Sequence, residues 1–283
     1  MTTTPAVHVR DLRKRYGTKQ AVDGLDLTVE HGEIVAVLGP NGAGKTTTVE
    51  ILEGHRTRDS GEVSVLGTDP GRADRTWRSR IGVVLQDAHD QAELTVRELV
   101  RHFALYYPRP RDPEELITAV GLADKARTRT RHLSGGQRRR LDVALGIVGR
   151  PELVFLDEPT TGFDPQARRS FWDLVRRLRD DGATILLTTH YLEEADNLAD
   201  RCAVVRDGTV VALETPAALR ASAADRVQVR WTEDGAPREV VTATPTAVVQ
   251  ELASRLGAEV PGLQVLRPTL EDVYLSLVGA QEP

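Results

Sequence analysis

The stretch "EIVAVLGPNGAGKTT", residues 33–47, decides the fold of this chain. Its first half is a short continuous apolar run, which is typical of a strand that a parallel sheet buries on both faces. A glycine-rich segment with one lysine follows, and after it "TTTVEILEG" has helical character. This order matches the pattern G-x-x-x-x-G-K-[ST], in which backbone N–H groups surround a phosphate. The stretch therefore predicts a phosphate-binding loop in an α/β protein.

The residue types of this loop have separate chemical roles. Glycines let the backbone approach a phosphate without Cβ clashes, and the helix N-terminus behind them adds positive potential. Lys45 provides a point charge for the β- and γ-phosphates, and the Thr46 hydroxyl is a Mg²⁺ ligand. A chance lysine in a glycine-rich turn would require neither the strand before it nor the helix after it. The predicted nucleotide-binding residues are Gly39, Pro40, Asn41, Gly42, Ala43, Gly44, Lys45, Thr46 and Thr47.

Polar side chains stand at the ends of three further apolar runs that are typical of parallel strands. They are Gln86, Asp157 and His190. Because strand ends of an open parallel sheet converge on the ligand crevice, we expect these side chains around one ligand. The three runs are residues 81–86, 153–157 and 183–189.

The chemistry expected at this crevice is attack of water on a γ-phosphate. Asp157 is placed to hold Mg²⁺, and Glu158, next to the γ-phosphate, is placed to polarise the water. By itself Asp-Glu-Pro is an ordinary strand exit, and a lone histidine is more often structural than catalytic. Together with the phosphate loop they predict the metal ligands Thr46, Gln86 and Asp157 and the catalytic residues Glu158, His190 and Gln86.

A second stretch, "LSGGQRRR" at residues 133–140, places two glycines at the start of a helix. Glycine is unfavourable inside helices, but bare N–H groups at a helix N-terminus bind anions. The chain thus carries two phosphate sites and one Lys-Thr-Asp set. The economical interpretation is a head-to-tail C₂ dimer, in which each helix start caps the γ-phosphate held by the other chain. A plain serine-capped helix is the alternative. The capping residues are Ser134, Gly135, Gly136 and Gln137.

Two domains are expected, residues 1–222 and 226–283. The fold class is α/β, a P-loop NTPase with a mixed, mainly parallel sheet, an antiparallel β subdomain, a helical insertion at about 91–150, and a small C-terminal α+β domain. An Asp-Gly pair at 207–208 predicts a hairpin turn.

The C-terminal domain is predicted in the order β-β-α-β-α. Thr244 followed by proline predicts a capped helix start. Thr269, with Asp272 three residues later, predicts the cap of a last helix.

Composition excludes several classes of protein. The net charge of -5 argues against a general nucleic-acid binder, which needs a basic face. Cys202 is the only cysteine, so no intrachain disulfide is possible, as expected in a reducing compartment. No signal peptide and no apolar window of about 20 residues is present, so we expect a cytosolic protein whose membrane role comes through a partner.

The order of these elements over residues 6–220 resembles the ATP-binding subunit of an ABC transporter. The resemblance implies ATP and Mg²⁺ as cofactors, with Tyr16 stacking on adenine, although a strand-terminal aromatic is nearly as plausible from the residues alone. It also implies Gln86 as the glutamine-loop residue, residues 133–137 as the family signature and His190 as the switch histidine. "TTGFD", residues 160–164, departs from the family's usual Ser-Gly-Leu-Asp, and we expect a slightly altered dimer contact at Phe163.

The resemblance further implies a homodimer docked on a separate integral-membrane permease, peripheral on the inner face of the cell membrane. The expected contacts are the helical insertion and the loop around Asp87–Glu93. The tail "RPTLEDVYLSLVG", residues 267–279, is similar to the end of daunorubicin-resistance drug exporters, so we expect export of drugs or other hydrophobic compounds.

Two other functions stay open at this point. One is a non-transport ATPase of the same superfamily acting on DNA or ribosomes, although the acidic balance of the chain does not favour nucleic acid. The other is a small-molecule phosphotransferase, which would leave "LSGGQ" without a role.

Overall fold

The structure, a computed structural model, describes residues 4–84, 93–223, 225–257 and 259–279. The chain divides into two compact units, Met1–Leu213 and Glu214–Pro283. The helix at Pro216–Ala221 thereby falls in the second unit. The division into domains at 222 and 226 stays a prediction.

The strands of the first unit form two sheets. A six-stranded sheet has the order β5-β6-β7-β3-β8-β9, and a three-stranded antiparallel sheet has the order β2-β1-β4. All pairings from β5 across to β8 are parallel, and β8 and β9 form the predicted hairpin, with positive φ at Asp207 and Gly208. The strands are β1 (Val7–Tyr16), β2 (Lys19–Val29), β3 (Ile34–Leu38), β4 (Ser60–Val65), β5 (Ile81–Val84), β6 (Leu153–Asp157), β7 (Thr184–Thr188), β8 (Arg201–Arg206) and β9 (Thr209–Glu214).

The apolar runs are buried for the reason that their sequence predicts. All five residues of β3 and of β7 are buried, as are the first four of β6, because both faces of the central sheet are covered. Strand β4 was not predicted, although its antiparallel pairing with β1 completes the smaller sheet. The core joins both sheets to the helix after the phosphate loop, through residues such as Val9, Val35, Leu52 and Phe155.

Helices surround the central sheet and fill the region of the predicted insertion. The predicted helical insertion is present, with the helix that begins after Ser134 packed beside β5. Asp164 and Asp112 cap two of the helices through side-chain oxygens. The helices are α1 (Lys45–Leu52), α2 (Arg75–Arg78), α3 (Val96–Ala104), α4 (Pro113–Ala119), α5 (Gly135–Ile147), α6 (Pro165–Asp180) and α7 (Leu192–Leu198).

The second unit has its own small core. A sheet of order β11-β10-β12 packs against one helix, with Val229, Leu252 and Val260 buried between them. The predicted order β-β-α-β-α is confirmed, with one further helix in front of it. The elements are α8 (Pro216–Ala221), β10 (Val227–Glu233), β11 (Ala236–Thr242), α9 (Pro245–Leu256), β12 (Gln264–Leu266) and α10 (Leu270–Val278).

The two predicted helix caps of this unit differ in outcome. Thr269 caps α10 in a complete capping box with Asp272, as predicted. Thr244 precedes α9, but its side chain makes no cap hydrogen bond, so the cap expected there is wrong. Its backbone, with φ -122° and ψ 62°, lies outside the extended conformation that aims a cap oxygen at the helix N–H groups.

No helix within the described residues is long and apolar enough to cross a bilayer.

Glu53 is a buried acid at the end of α1. Only 2% of its side chain is exposed, and its carboxylate lies 3.2 Å from His55 Nδ1. Burial, with smaller contributions from the charges of Asp157 and Glu50, raises the pKa of Glu53 to about 8. The folded chain therefore retains a proton on Glu53 at pH values where the unfolded chain has released it.

We expect Glu53→Gln to stabilise the protein relative to the parent chain, and increasingly so as pH rises. Glutamine imitates the protonated acid, and the parent loses stability between about pH 5 and pH 8 because its folded state must bury a carboxylate. The gap in unfolding free energy should widen by about 1–3 kcal/mol over that interval, measured by urea unfolding. Glu62→Gln, at an exposed acid of β4, is the control; a gap for Glu53→Gln that is as flat as the control's contradicts the prediction.

Candidate functional site

The phosphate loop is shaped by its contacts with two strands. A Cβ on Gly39 would lie 2.4 Å from the carbonyl oxygen of Val205, and one on Gly44 would lie 2.3 Å from that of Ala21. Gly44 also has φ 101°, in the left-handed region that favours glycine. The chain's own backbone therefore requires glycine at both positions. The loop is a cradle that a larger residue would displace.

Lys45 begins α1 and reaches back across the loop. Its Nζ donates to the carbonyl oxygens of Gly39 at 2.6 Å and Pro40 at 3.0 Å. The pKa of Lys45 is lowered, because the effect of burial outweighs the raising effect of the nearby charges of Glu158 and Asp157. The first turn of α1 carries no acidic residue, so nothing in that turn neutralises the positive end of the helix. The mouth of the loop is thus arranged for a polyanion.

A cavity of about 660 Å³ opens above this loop and joins residues from distant parts of the chain. It brings together most of the predicted loop residues with the two carboxylates and the histidine. Gly39, Pro40 and Ala43 do not line it, because they form the back of the loop. Gln86 lies outside the described residues. The lining residues are Tyr16, Lys19, Ala21, Asn41, Gly42, Gly44, Lys45, Thr46, Thr47, Asp157, Glu158 and His190.

Tyr16 lies at the end of β1 with 40% of its surface exposed. The guanidinium of Arg56 and the ammonium of Lys14 lie 5.3 and 5.5 Å from its ring centroid. Two cations beside the ring place Tyr16 in an electropositive rim of the cavity.

Both acidic residues are bonded by a threonine that sequence reasoning missed. Thr188, at the end of β7, donates its hydroxyl to Asp157 Oδ1. The N–H of Glu158 donates to the carbonyl oxygen of Thr188 at 3.1 Å. Thr188 is thus a bridge between the neighbouring strand and both acids. The polar end of the run "TILLTT" was the available signal, since parallel strand ends converge.

Glu158 has an unusual backbone and a close polar partner. Its φ of 46° lies in the left-handed region, which costs energy for a residue with a side chain. Its carboxylate Oε2 lies 3.3 Å from His190 Nδ1 and accepts from the Thr161 hydroxyl at 3.4 Å. The predicted base and the predicted switch histidine are therefore in contact.

The serine-glycine helix start opens into a different cavity, of about 630 Å³. Ser134 Oγ accepts from the N–H of Gln137 at 3.3 Å, and Gln137 Oε1 accepts from the N–H of Ser134 at 3.0 Å, a complete capping box. Gly135 and Gly136 form the first turn of α5. Among the described residues, the two cavities share only Glu158.

The glycine at position 135 is not explained by this chain alone. A Cβ on Gly135 would meet nothing within 4 Å, and its φ is not positive. On Gly136 it would approach Phe163 no closer than 3.8 Å. Phe163 itself is buried and packs edge-on against Phe171, with centroids 5.9 Å apart. Helix propensity would favour alanine at both positions, so their bare backbone fits a group that comes from outside the chain.

Comparison with known proteins agrees with these features. The family model described as ABC transporter matches residues 22–161. A daunorubicin resistance ATP-binding protein of Streptomyces coeruleorubidus is 41% identical, over 97% of this chain and 96% of that protein. The chain belongs to the ATP-binding proteins of ABC transporters. The Nod factor export ATP-binding protein I of Ralstonia nicotianae is also similar to this ABC ATPase, with 39% identity over 99% of this chain and 95% of that protein.

Solved structures show the same fold. An ATP-binding subunit of an ABC transporter superposes with TM-score 0.70 and 27% identity, over 77% of this ABC ATPase and 92% of that chain. A dimeric ATP-binding cassette in a post-hydrolysis state, bound to ADP and phosphate, gives TM-score 0.67 and 25% identity, over 74% and 98%. The predicted fold class, the family and ATPase activity are confirmed, and the protein binds ATP.

Proposed function

We propose that this ABC ATPase works as a Mg²⁺-dependent head-to-tail homodimer on a separate membrane subunit, and that it drives export of drugs or other hydrophobic compounds. One observation carries the proposal. The chain holds two half-sites, a lysine-bearing cavity and a serine-glycine helix start, which open separately and, within the part of the chain that the structure describes, share Glu158 alone.

The donor set of the nucleotide cavity fits a magnesium ion. Thr46 presents a hydroxyl in the cavity, and Asp157 presents a carboxylate whose Oδ1 already accepts from Thr188. Hydroxyl and carboxylate oxygens are the hard ligands that Mg²⁺ takes together with phosphate oxygens. The ion, when bound, would offset negative charge on the phosphates, and Thr46 and Asp157 would hold it.

Each of the residues around the phosphates then has a separate role in hydrolysis. Lys45 and the loop N–H groups hold the β- and γ-phosphates. Glu158 accepts a proton from the water whose oxygen forms the new bond to the γ-phosphorus as the bond to the ADP oxygen breaks. His190, 3.3 Å from the Glu158 carboxylate, orients that acid toward the water.

The second half-site supports pairing of two chains. Ser134 uses its oxygen as an acceptor within its own capping box, which leaves its hydroxyl hydrogen to donate outward. The open space above Gly135 leaves room for a phosphate of another chain at the helix N-terminus. The dimeric cassette among the similar structures supports this arrangement.

An exposed apolar patch supports docking on a membrane protein. Leu105 and Tyr106, just after α3, are 83% and 68% exposed. They adjoin a groove of about 320 Å³ that Phe103 and Tyr107 line. Contiguous exposed apolar side chains on a soluble domain mark a protein–protein contact. The proposed location is therefore the inner face of the membrane; of the expected contact loop, residues 87–92 lie outside the described residues.

The relatives support the direction and cargo of transport. Proteins similar over nearly the whole of this chain, including its tail, are named for daunorubicin resistance and for Nod factor export. One name states export and the other states resistance to a drug, which outward transport would produce, so we assign this chain to the same class of exporter.

Glu158→Gln should block ATP turnover and trap a dimer. Glutamine keeps the shape of the acid but accepts no proton, so kcat should fall by about 10²–10⁴-fold, while ATP and Mg²⁺ now hold two chains together. Steady-state phosphate release and size-exclusion chromatography measure the two effects. Phosphate release at the parent rate would remove Glu158 from its role as base.

Ser134→Asp should separate a shared phosphate site from a plain helix cap. Aspartate caps helices as well as serine does, so thermal stability should change little. Its charge would repel the partner's γ-phosphate, so ATP-driven dimerisation, measured in the Glu158→Gln background, should be lost. Thr215→Asp, which likewise replaces a hydroxyl cap by aspartate, at the start of α8, is the control. Normal dimerisation of Ser134→Asp would support the alternative in which Ser134 serves only as a helix cap.

Leu105→Glu with Tyr106→Glu should weaken docking and leave ATP binding to the isolated chain intact. Two charges in the apolar patch would have to be buried without partners at the interface. Co-purification with the hydrophobic protein that the isolated chain captures from detergent-solubilised membranes should fall by at least about tenfold, which corresponds to 1.4 kcal/mol. Glu62→Arg, a charge change at an exposed residue of β4 in the antiparallel sheet, is the control. Capture of DNA or ribosomes instead of a membrane protein would overturn the transport assignment.

A further inference from the structure

Arg139 is a buried arginine on the helix that begins at Ser134. It lies in α5 with 7% of its surface exposed. Its Nη2 donates to the carbonyl oxygen of Asp157, and its Nε donates to that of Pro159 at 3.4 Å. These carbonyl groups belong to the two residues on either side of Glu158. One guanidinium therefore spans the backbone that carries the proposed base.

The backbone at Glu158 needs to be held. A left-handed φ of 46° for a residue with a side chain costs on the order of 1–3 kcal/mol and persists only where the surroundings enforce it. Thr188 binds the N–H of Glu158 from the side of β7, at 3.1 Å. Arg139 binds the flanking carbonyl groups from the side of α5. Hydrogen bonds from β7 and from α5 thus hold the strained backbone around Glu158.

An arginine is a costly way to fill this space. Burying a guanidinium is unfavourable unless its N–H groups are hydrogen-bonded, and an apolar side chain would pack there at lower cost. What arginine adds is a planar fork that fixes two acceptors relative to each other. The role of Arg139 is therefore to fix the backbone geometry of residues Asp157–Pro159.

We propose that Arg139 is a positioning residue for ATP hydrolysis, which holds Glu158 where its carboxylate meets the attacking water. The inference rests on the proposed function, because it takes Glu158 as the base. It also connects two sites. In the proposed dimer, α5 starts at the partner's nucleotide, whereas Glu158 serves the chain's own, so Arg139 fixes the base of one site to the helix that caps the other.

Two neighbouring arginines provide matched controls. Arg138 donates to the carbonyl oxygen of Thr130, and Arg140 donates to that of Gly121 at 2.9 Å. Both acceptor residues, Thr130 and Gly121, precede α5 in the chain, and neither is next to Glu158 in the sequence. Removal of Arg140 thus takes the same chemical group from the same helix without releasing the backbone of the base.

The test compares Arg139→Ala with Arg140→Ala in the full-length chain. We expect Arg139→Ala to lower kcat by about 10–100-fold, because displacement of a catalytic group by about 1 Å has effects of that size, while KM for ATP stays within about threefold. Arg140→Ala should keep kcat within about twofold. Added methylguanidinium should restore part of the activity of Arg139→Ala, since it can occupy the vacated site. An unchanged kcat for Arg139→Ala, or a loss confined to KM, overturns the proposal.

A double variant tests whether Arg139 acts through Glu158. In the Glu158→Gln background, Arg139→Ala should cause no further loss of the residual single-turnover hydrolysis, and ATP-driven dimerisation should persist. Additive losses would mean that Arg139 acts elsewhere. If Arg139→Ala does not fold, Arg139→Lys makes the same test, because one ammonium cannot span both carbonyl groups. Turnover by Glu158→Gln alone would refute the base assignment; a dead Glu158→Gln with a normal Arg139→Ala would refute only the positioning role.

Discussion

The close fit of the phosphate loop between two sheets is the constraint on which the rest of the site depends. Gly39 lies against a carbonyl group of β8 and Gly44 against one of β2, with no room for a Cβ at either contact. Since β2 belongs to the antiparallel sheet and β8 to the central sheet, the loop takes this shape only when both sheets are in place. The core that joins the sheets therefore builds the cradle from which Lys45 begins α1 and lines the cavity. This is why a local motif is dependable here: its glycines are required by long-range contacts.

Glu158 lies between the two half-sites of the molecule. It lines the cavity of the phosphate loop and the cavity of the serine-glycine helix start. Its surroundings come from two elements and a loop, with Thr188 at the end of β7, His190 in the loop that follows, and Arg139 of α5 bonded to the flanking carbonyl groups. A carboxylate on a flexible loop would sample many positions, whereas this one is held beside the fully buried strand β7 and a packed helix. Strain in its backbone is sustained because several independent contacts oppose its relaxation.

Sequence alone predicted what local chemistry determines. The phosphate loop, the strand ends at Asp157 and His190 and the capping box at Thr269 each follow from residues a few positions apart, and the structure has the fold that they indicate. Thr188, Arg139 and strand β4 escaped prediction because their roles arise from partners far away in the chain: the polar end of "TILLTT" indicates the edge of the sheet but not the contacts of Thr188, and an arginine among arginines carries no local signal. The cap expected at Thr244 failed for a local reason, since its backbone is not extended and its hydroxyl lies 3.3 Å from that of Thr242. Sequence patterns thus identify the side chains that line the candidate nucleotide cavity better than the residues that hold those side chains in place.

The proposed division of one nucleotide site between two chains gives ATP a structural role in addition to its role as the energy source. In the proposed dimer, the γ-phosphate is held by Lys45 of one chain and by the helix start of the other, so the triphosphate stabilises the pair through contacts that a single chain cannot make. Once the bond to the γ-phosphate is broken, the two groups of contacts no longer belong to one ligand, and the pairing weakens. Arg139 makes cleavage itself sensitive to this state, because the helix that meets the partner's nucleotide also holds the carbonyl groups beside Glu158. A membrane subunit docked near Leu105 would then sense a single event, closure and release of the pair, and not the separate chemistry of each site.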